Sequence, residues 1–184
     1  MRIGVYPGSF DPVHKGHIHI VRYLLKKKIV DRVLIVPTGN YWEKQDLTPV
    51  EDRIKMLEIF ANERILIEKE ANELPYTYQL MRELKKRWPE DELFLVLGAD
   101  NLLRFDQWKN YEELLEFPFL LIRRSGIDVK KEMQRLKKTD YQLLPLREMD
   151  ISSTYIREHF QNYYEVRGMI DIRVYRYLKK LHTK

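Results

Sequence analysis

The chain has 184 residues, 44% apolar and 12% aromatic, and its 33 lysines and arginines against 28 acidic residues leave a formal charge of +5. That length and apolar content suit a single domain over residues 1–184 and exclude a disordered, collagen-like or low-complexity chain. Cysteine is absent, which excludes disulfides, thiolate metal sites, cysteine nucleophiles and iron–sulfur clusters and fits a reducing compartment. The mild basic surplus suits anionic partners. No apolar run approaches the ~20 residues of a membrane span, and the first residues carry no signal-peptide pattern. The expectation is a cytoplasmic protein with no membrane partner.

Short apolar runs rich in β-branched residues predict strands at 3–6, 32–36, 65–68, 93–97, 119–123 and 142–146. Several are apolar on consecutive positions, the pattern of strands covered on both faces of a parallel sheet. Ile18, Val21 and Leu25 mark one face of a helix over 15–28, which ends in three lysines that complement its dipole. Thr48 as N-cap, Pro49 at the first helical position and Glu51 as the capping-box partner announce a second helix, with Val50, Ile54, Leu57 and Ala61 at helical spacing. Thr77, Leu80, Met81, Leu84 and Trp88 mark a third, and further helices are expected at 107–116, 129–138, 153–161 and 170–181. Alternating strands and helices predict an α/β fold, a Rossmann-like doubly wound parallel sheet with a C-terminal helical part from about residue 151. Ligands of such folds gather at the carboxyl ends of the strands.

The connection after the first strand, YPGSFDPVHKGH at 6–17, is dense in turn formers. Gly8, Pro12 and Gly16 permit a tight path and close ligand approach. His14 and His17 stand three residues apart at a helix entrance, where two imidazoles and the free N–H groups of the first turn can cradle a phosphoryl group. A structural pair or part of a metal site are the alternatives, although H-E-x-x-H is absent, as are the Walker A and G-x-G-x-x-G patterns. His19 falls between the paired positions and is expected to be structural or solvent-facing. The segment ISSTYIR at 151–157 opens a late helix, so Ser152, Ser153 and Thr154 offer capping hydroxyls and Arg157 a cation one turn on.

GSFDPVHKGH at 8–17 resembles the H-x-G-H signature of the nucleotidyltransferase superfamily, and ISSTYIR resembles the motif of its nicotinate (nicotinamide) mononucleotide adenylyltransferases. GADNLLRFDQW at 98–108 and Tyr76 with Thr77 are similar to further segments of that family. The resemblance implies transfer of AMP from ATP, with a Mg²⁺ bound to the ATP, onto nicotinate mononucleotide in NAD biosynthesis. It implies that His14, His17 and Arg157 act on the reacting phosphates, and that Gly8, Ser9, Phe10, Gly16, Gly98, Asp100, Ile151, Ser152 and Ser153 bind ATP. Asp11, Lys44, Thr77, Trp108, Arg123 and Arg124 would then hold the acceptor, with Trp108 stacking on the pyridine ring. Read from its spacing alone, Trp108 is equally a core residue on a stripe with Tyr111 and Leu115.

The pattern breaks in places. PTGNYWEK at 37–44 lacks the two prolines and the histidine usual in nicotinate-specific members, Leu80 stands where a threonine is expected, and Ile170 and Asp171 replace a valine–proline pair. Alternatives are therefore the same chemistry on nicotinamide mononucleotide or another phosphate monoester, and a nucleotide- or RNA-binding module without catalysis. No RNP-type aromatic motif supports the last, so no nucleic-acid partner is expected, while a homo-oligomer stays open.

Overall fold

The computed structural model describes residues 1–38, 46–147 and 149–183. Six strands, β1 (Arg2–Gly8), β2 (Arg32–Pro37), β3 (Ile65–Ile67), β4 (Glu92–Gly98), β5 (Phe119–Ile122) and β6 (Tyr141–Leu144), form one sheet in the order β3-β2-β1-β4-β5-β6. Every neighbouring pair is parallel, so the doubly wound sheet expected from the sequence is the one formed. The described helices are α1 (Lys15–Lys26), α2 (Val50–Glu58), α3 (Thr77–Arg87), α4 (Tyr111–Leu114), α5 (Val129–Arg135), α6 (Ser153–His159), α7 (Tyr163–Val166) and α8 (Ile172–His182), with 3₁₀ turns at Ala71–Glu73 and Ala99–Gln107.

Consecutive apolar residues in the strands serve two layers. Val33 and Ile35 pack with Val21 and Leu24 of α1, Met56 of α2, Ile156 of α6 and Val174 of α8. The alternate residues Leu34 and Val36 join Leu80 and Leu84 of α3, Met133 of α5 and Phe105 on the opposite face. Fully burying each such side chain contributes roughly 1.5–3 kcal/mol, so neither layer is dispensable.

β1 is the hinge of the topology. It is hydrogen-bonded to β2 along its length, from Ile3↔Arg32 to Gly8↔Pro37. With β4 the register runs only from Arg2↔Glu92 to Val5↔Leu95. Beyond that point β4 continues alongside β5 from Leu95↔Phe119 to Gly98↔Ile122. The two central strands therefore part at their carboxyl ends, which opens a crevice where the strand order switches direction.

Several element boundaries differ from expectation. The Thr48–Glu51 capping box does not form: Pro49 is the N-cap of α2 and makes no side-chain capping bond. The Thr48 N–H instead donates to Asp11 Oδ2 at 3.0 Å. The inward face of α2 is Arg53, Met56 and Leu57, while Ile54 is half-buried and Ala61 exposed. The helix expected at 107–116 is a 3₁₀ segment followed by the one-turn α4, because Trp108 is extended and Asn110 takes a left-handed φ of 53°. α8 starts at Ile172, where the Asp171 carboxylate caps the N–H of Arg173, and α7 was not anticipated. No described helix is long and apolar enough to cross a membrane.

Candidate active site

The first turn of α1 is capped by histidines. His14 is the N-cap, and its Nδ1 accepts the Gly16 N–H at 3.1 Å; His17 Nδ1 accepts the His14 N–H at 3.1 Å. The rings stack with centroids 3.6 Å apart and planes 20° from parallel. Gly16 makes this possible, since a Cβ there would sit 2.9 Å from His14 Cε1. Because each Nδ1 is an acceptor, each neutral ring carries its proton on Nε2, and that N–H is the donor left for a ligand. Burial and the Arg124 cation push His14 down to about 4. His17 is held well below the usual histidine range by burial, by His14 and by Arg124. Both imidazoles are neutral hydrogen-bond donors at pH 7.

The expected free N–H groups at this helix start are partly engaged already. Lys15 N–H donates to Met169 O at 2.8 Å, and Gly16 N–H is taken by His14. The Nε2–H groups, rather than the helix end, are therefore the donors this entrance offers to a ligand.

Two clefts open at the crevice. The larger, about 530 Å³, is lined by His14, Gly16 and His17 on one side and Leu146, Arg147, Ile151 and Ser152 on the other. The smaller, about 290 Å³, is lined by Gly8, Phe10, Thr38, Thr77, Gly98, Asp100, Asn101 and Trp108. Tyr6, His17, Ile122 and Arg124 belong to both. Arg124 stands between them, with Nε 3.6 Å from Asp100 Oδ1. A side chain at Gly98 would come within 2.6 Å of that carboxylate oxygen and 3.3 Å of Arg124 Nη2, so the glycine leaves room for the pair. Trp108 is half-buried against Phe105, with ring centroids 4.8 Å apart, and still lines the smaller cleft. The core reading holds in part, and the rest of the ring is surface of the smaller cleft.

Arg157, Ser153, Ser9 and Asp11 hold the loop rather than line these two clefts. Arg157 Nη1 donates to Asp11 O at 2.7 Å and Nη2 to Thr154 Oγ1 at 3.2 Å. Ser153 Oγ donates to Pro12 O at 2.9 Å, and Ser9 O accepts from Arg53 at 2.8 Å. Asp11 is buried and holds Thr48. Gly8, Phe10, Gly98 and Asp100, expected on the ATP side, line the smaller cleft together with Thr77 and Trp108. Arg123 lies in a neighbouring groove with Lys130 and Arg147. Lys44 lies outside the described residues. His19 is exposed.

Sequence reasoning missed Arg53 altogether. It is 0% exposed, and its only signal is a charge in register with Met56 and Leu57 on the inward face of α2. Thr38 and Asn101, which also line the smaller cleft, stood inside the quoted segments 37–44 and 98–108 without a role of their own.

The profile of the cytidylyltransferase-like family matches residues 5–159. A protein of Clostridium novyi named "probable nicotinate-nucleotide adenylyltransferase" is 34% identical over 173 residues, covering 86% of each chain. One of the same name from Albidiferax ferrireducens is 30% identical over 191 residues, 98% of this chain and 96% of its own. Among solved structures, the Plasmodium falciparum nicotinic acid mononucleotide adenylyltransferase complexed with NaAD superposes with a TM-score of 0.83 at 21% identity, over 98% of this chain and 95% of that one. The same fold thus recurs across a wide sequence distance. By profile and by sequence, the chain belongs to the cytidylyltransferase-like family and groups with its nicotinate-nucleotide adenylyltransferases.

Proposed function

We propose that this chain transfers AMP from ATP to nicotinate mononucleotide, giving nicotinate adenine dinucleotide and pyrophosphate in NAD biosynthesis. One observation carries the reading: two clefts meet at a shared wall containing His17 and Arg124. A reaction that joins two nucleotides through their phosphates needs two pockets and one place where those phosphates meet. ATP takes the larger cleft, against Ile151 and Ser152. The mononucleotide takes the smaller, its ring between Thr77 and Trp108.

The acceptor phosphate attacks the α-phosphorus of ATP in line. A new P–O bond forms as the bond to the β-phosphate oxygen breaks, and pyrophosphate departs with the electron pair. A phosphate monoester has a second pKa of about 6, so the nucleophile is ionised without a general base. The Nε2–H groups of His14 and His17 and the Arg124 guanidinium stabilise charge on the transferring phosphoryl oxygens. Mg²⁺ enters as part of the ATP. Among the described residues no three His, Cys, Asp or Glu side chains are grouped to hold a metal ion. A cytoplasmic setting, where ATP is at hand, belongs to the same reading.

Pyrophosphate release measured with ATP and a panel of nicotinate mononucleotide, nicotinamide mononucleotide and phosphopantetheine tests it. Nicotinate mononucleotide is expected to give the highest kcat/KM. A preference for nicotinamide mononucleotide would change the acceptor but keep the chemistry, and a preference for phosphopantetheine would overturn both pyridine readings.

A further inference from the structure

Arg53 is a fully buried arginine on α2 whose guanidinium reaches three separate stretches of backbone. Its Nη1 donates to Ser9 O at 2.8 Å and to Thr38 O at 2.7 Å, and its Nε donates to Thr48 O at 2.8 Å. Ser9 follows the last residue of β1, Thr38 the last residue of β2, and Thr48 leads into α2. Asp11, 1% exposed, supplies the nearby negative charge and accepts the Thr48 N–H. Thr38 is tied a second time, through its N–H and its Oγ1, both donating to Gly8 O at 2.8 and 3.2 Å. Burying a guanidinium is costly unless its donors are satisfied, and an apolar side chain would fill the same volume without that cost. What an apolar side chain lacks is the fork.

The hydrogen bonds to Ser9 and Thr38 fall beside the smaller cleft. Gly8, Phe10 and Thr38, the residues beside or at its acceptors, all line the smaller cleft, and none of them lines the larger. The larger cleft is walled by the first turn of α1 and the segment from Leu146 to Ser152, none of which Arg53 contacts in the hydrogen bonds above. We propose that Arg53 is a positioning residue for the acceptor nucleotide, fixing the spacing between the ends of β1 and β2 and with it the shape of the smaller cleft. The inference rests on the assignment of the acceptor to that cleft. It adds that one buried side chain on a helix outside both clefts sets affinity for one substrate and leaves the other untouched.

The test uses Arg53→Met and Arg53→Lys in the full chain, with thermal melting to establish that each is folded. Lysine keeps the charge and the stem but lacks the rigid fork, and it carries the test should the methionine variant not fold. KM for the mononucleotide is expected to rise about tenfold or more while KM for ATP stays within about twofold, the signature of lost ground-state binding for one substrate. A merely structural role would move both KM values together. Equal rises in both, or no change in either, in a folded variant would overturn the proposal. Pyrophosphate release by the wild-type chain is the separate check on the catalytic reading, so the two fail independently.

Discussion

At the entrance of α1, imidazoles occupy positions that serine, threonine or aspartate usually fill. The consequence is double: the rings satisfy backbone donors, and the backbone in turn dictates which nitrogen of each ring carries the proton. Replacing His17 with alanine removes one donor of the proposed mechanism and the acceptor for His14 N–H. Turnover is expected to fall ~10²–10³-fold and stability by roughly 1 kcal/mol, read by pyrophosphate release and by denaturant unfolding of the same preparation. Wild-type turnover in a folded His17→Ala protein would remove it from the chemistry. The pairing of His14 with His17 was legible, since three-residue spacing at a helix entrance brings two side chains together. The proton positions were not, because they depend on which backbone groups the rings meet. Arg157 and Asp11 show the opposite limit. Their residue types suggested ligand contacts, and the structure places Arg157 against the Asp11 carbonyl, a partner 146 positions away that no local pattern encodes.

At the level of elements, all six strands were readable, most directly β2 and β5, whose burial on both faces leaves unbroken apolar runs. Helices with a long apolar stripe, such as α1 and α3, were readable for the same reason. The stretch 107–116 was misread because Trp108, Tyr111 and Leu115 keep helical spacing across a break at Asn110, and spacing cannot register a single left-handed residue. The end of β3 hides another feature. Glu68, read as the last strand residue, is 3% exposed and accepts the N–H groups of Lys69, Glu70 and Ala71 through Oε1. Arg87 of α3 pairs with its other oxygen at 2.7 Å, so one carboxylate fastens the 3₁₀ turn after β3 to a helix. Glu68→Gln keeps the size and removes the charge, and is expected to cost about 2 kcal/mol. Urea unfolding that gives the same midpoint for variant and wild type would show that the ion pair contributes nothing.

For the molecule as a whole, these buried groups set the response to acid. His14 is lowered to about 4 by burial and Arg124, and His17 is also held well below its ordinary value by burial, His14 and Arg124, whereas both take up protons near the ordinary value of about 6.5 once unfolded. The unfolded chain therefore binds more protons below that value, and stability must fall as pH drops from about 6.5 toward 4, by ~1.4 kcal/mol per pH unit for each histidine. Glu68, lowered by its hydrogen bonds with Arg87 and the backbone in spite of its burial, contributes stability above the ordinary carboxylate range that is lost at lower pH. Melting temperature followed from pH 8 to pH 4.5 is expected to be level above about 7 and to decline below it. Stabilisation on acidification would mean that the imidazoles are charged in the native state.

The reciprocal histidine caps have a final implication, for the reaction cycle. A ring whose Nδ1 is anchored to the backbone and whose Nε2 only lends a hydrogen bond neither gains nor loses a proton when the phosphoryl group passes. The protein leaves each turnover in the state in which it entered, with nothing to be reset by solvent. In the proposed reaction the same fixed donors serve the phosphorus whichever nucleophile approaches it, so by microscopic reversibility a site of that kind is equally built to let pyrophosphate cleave the two nucleotides apart.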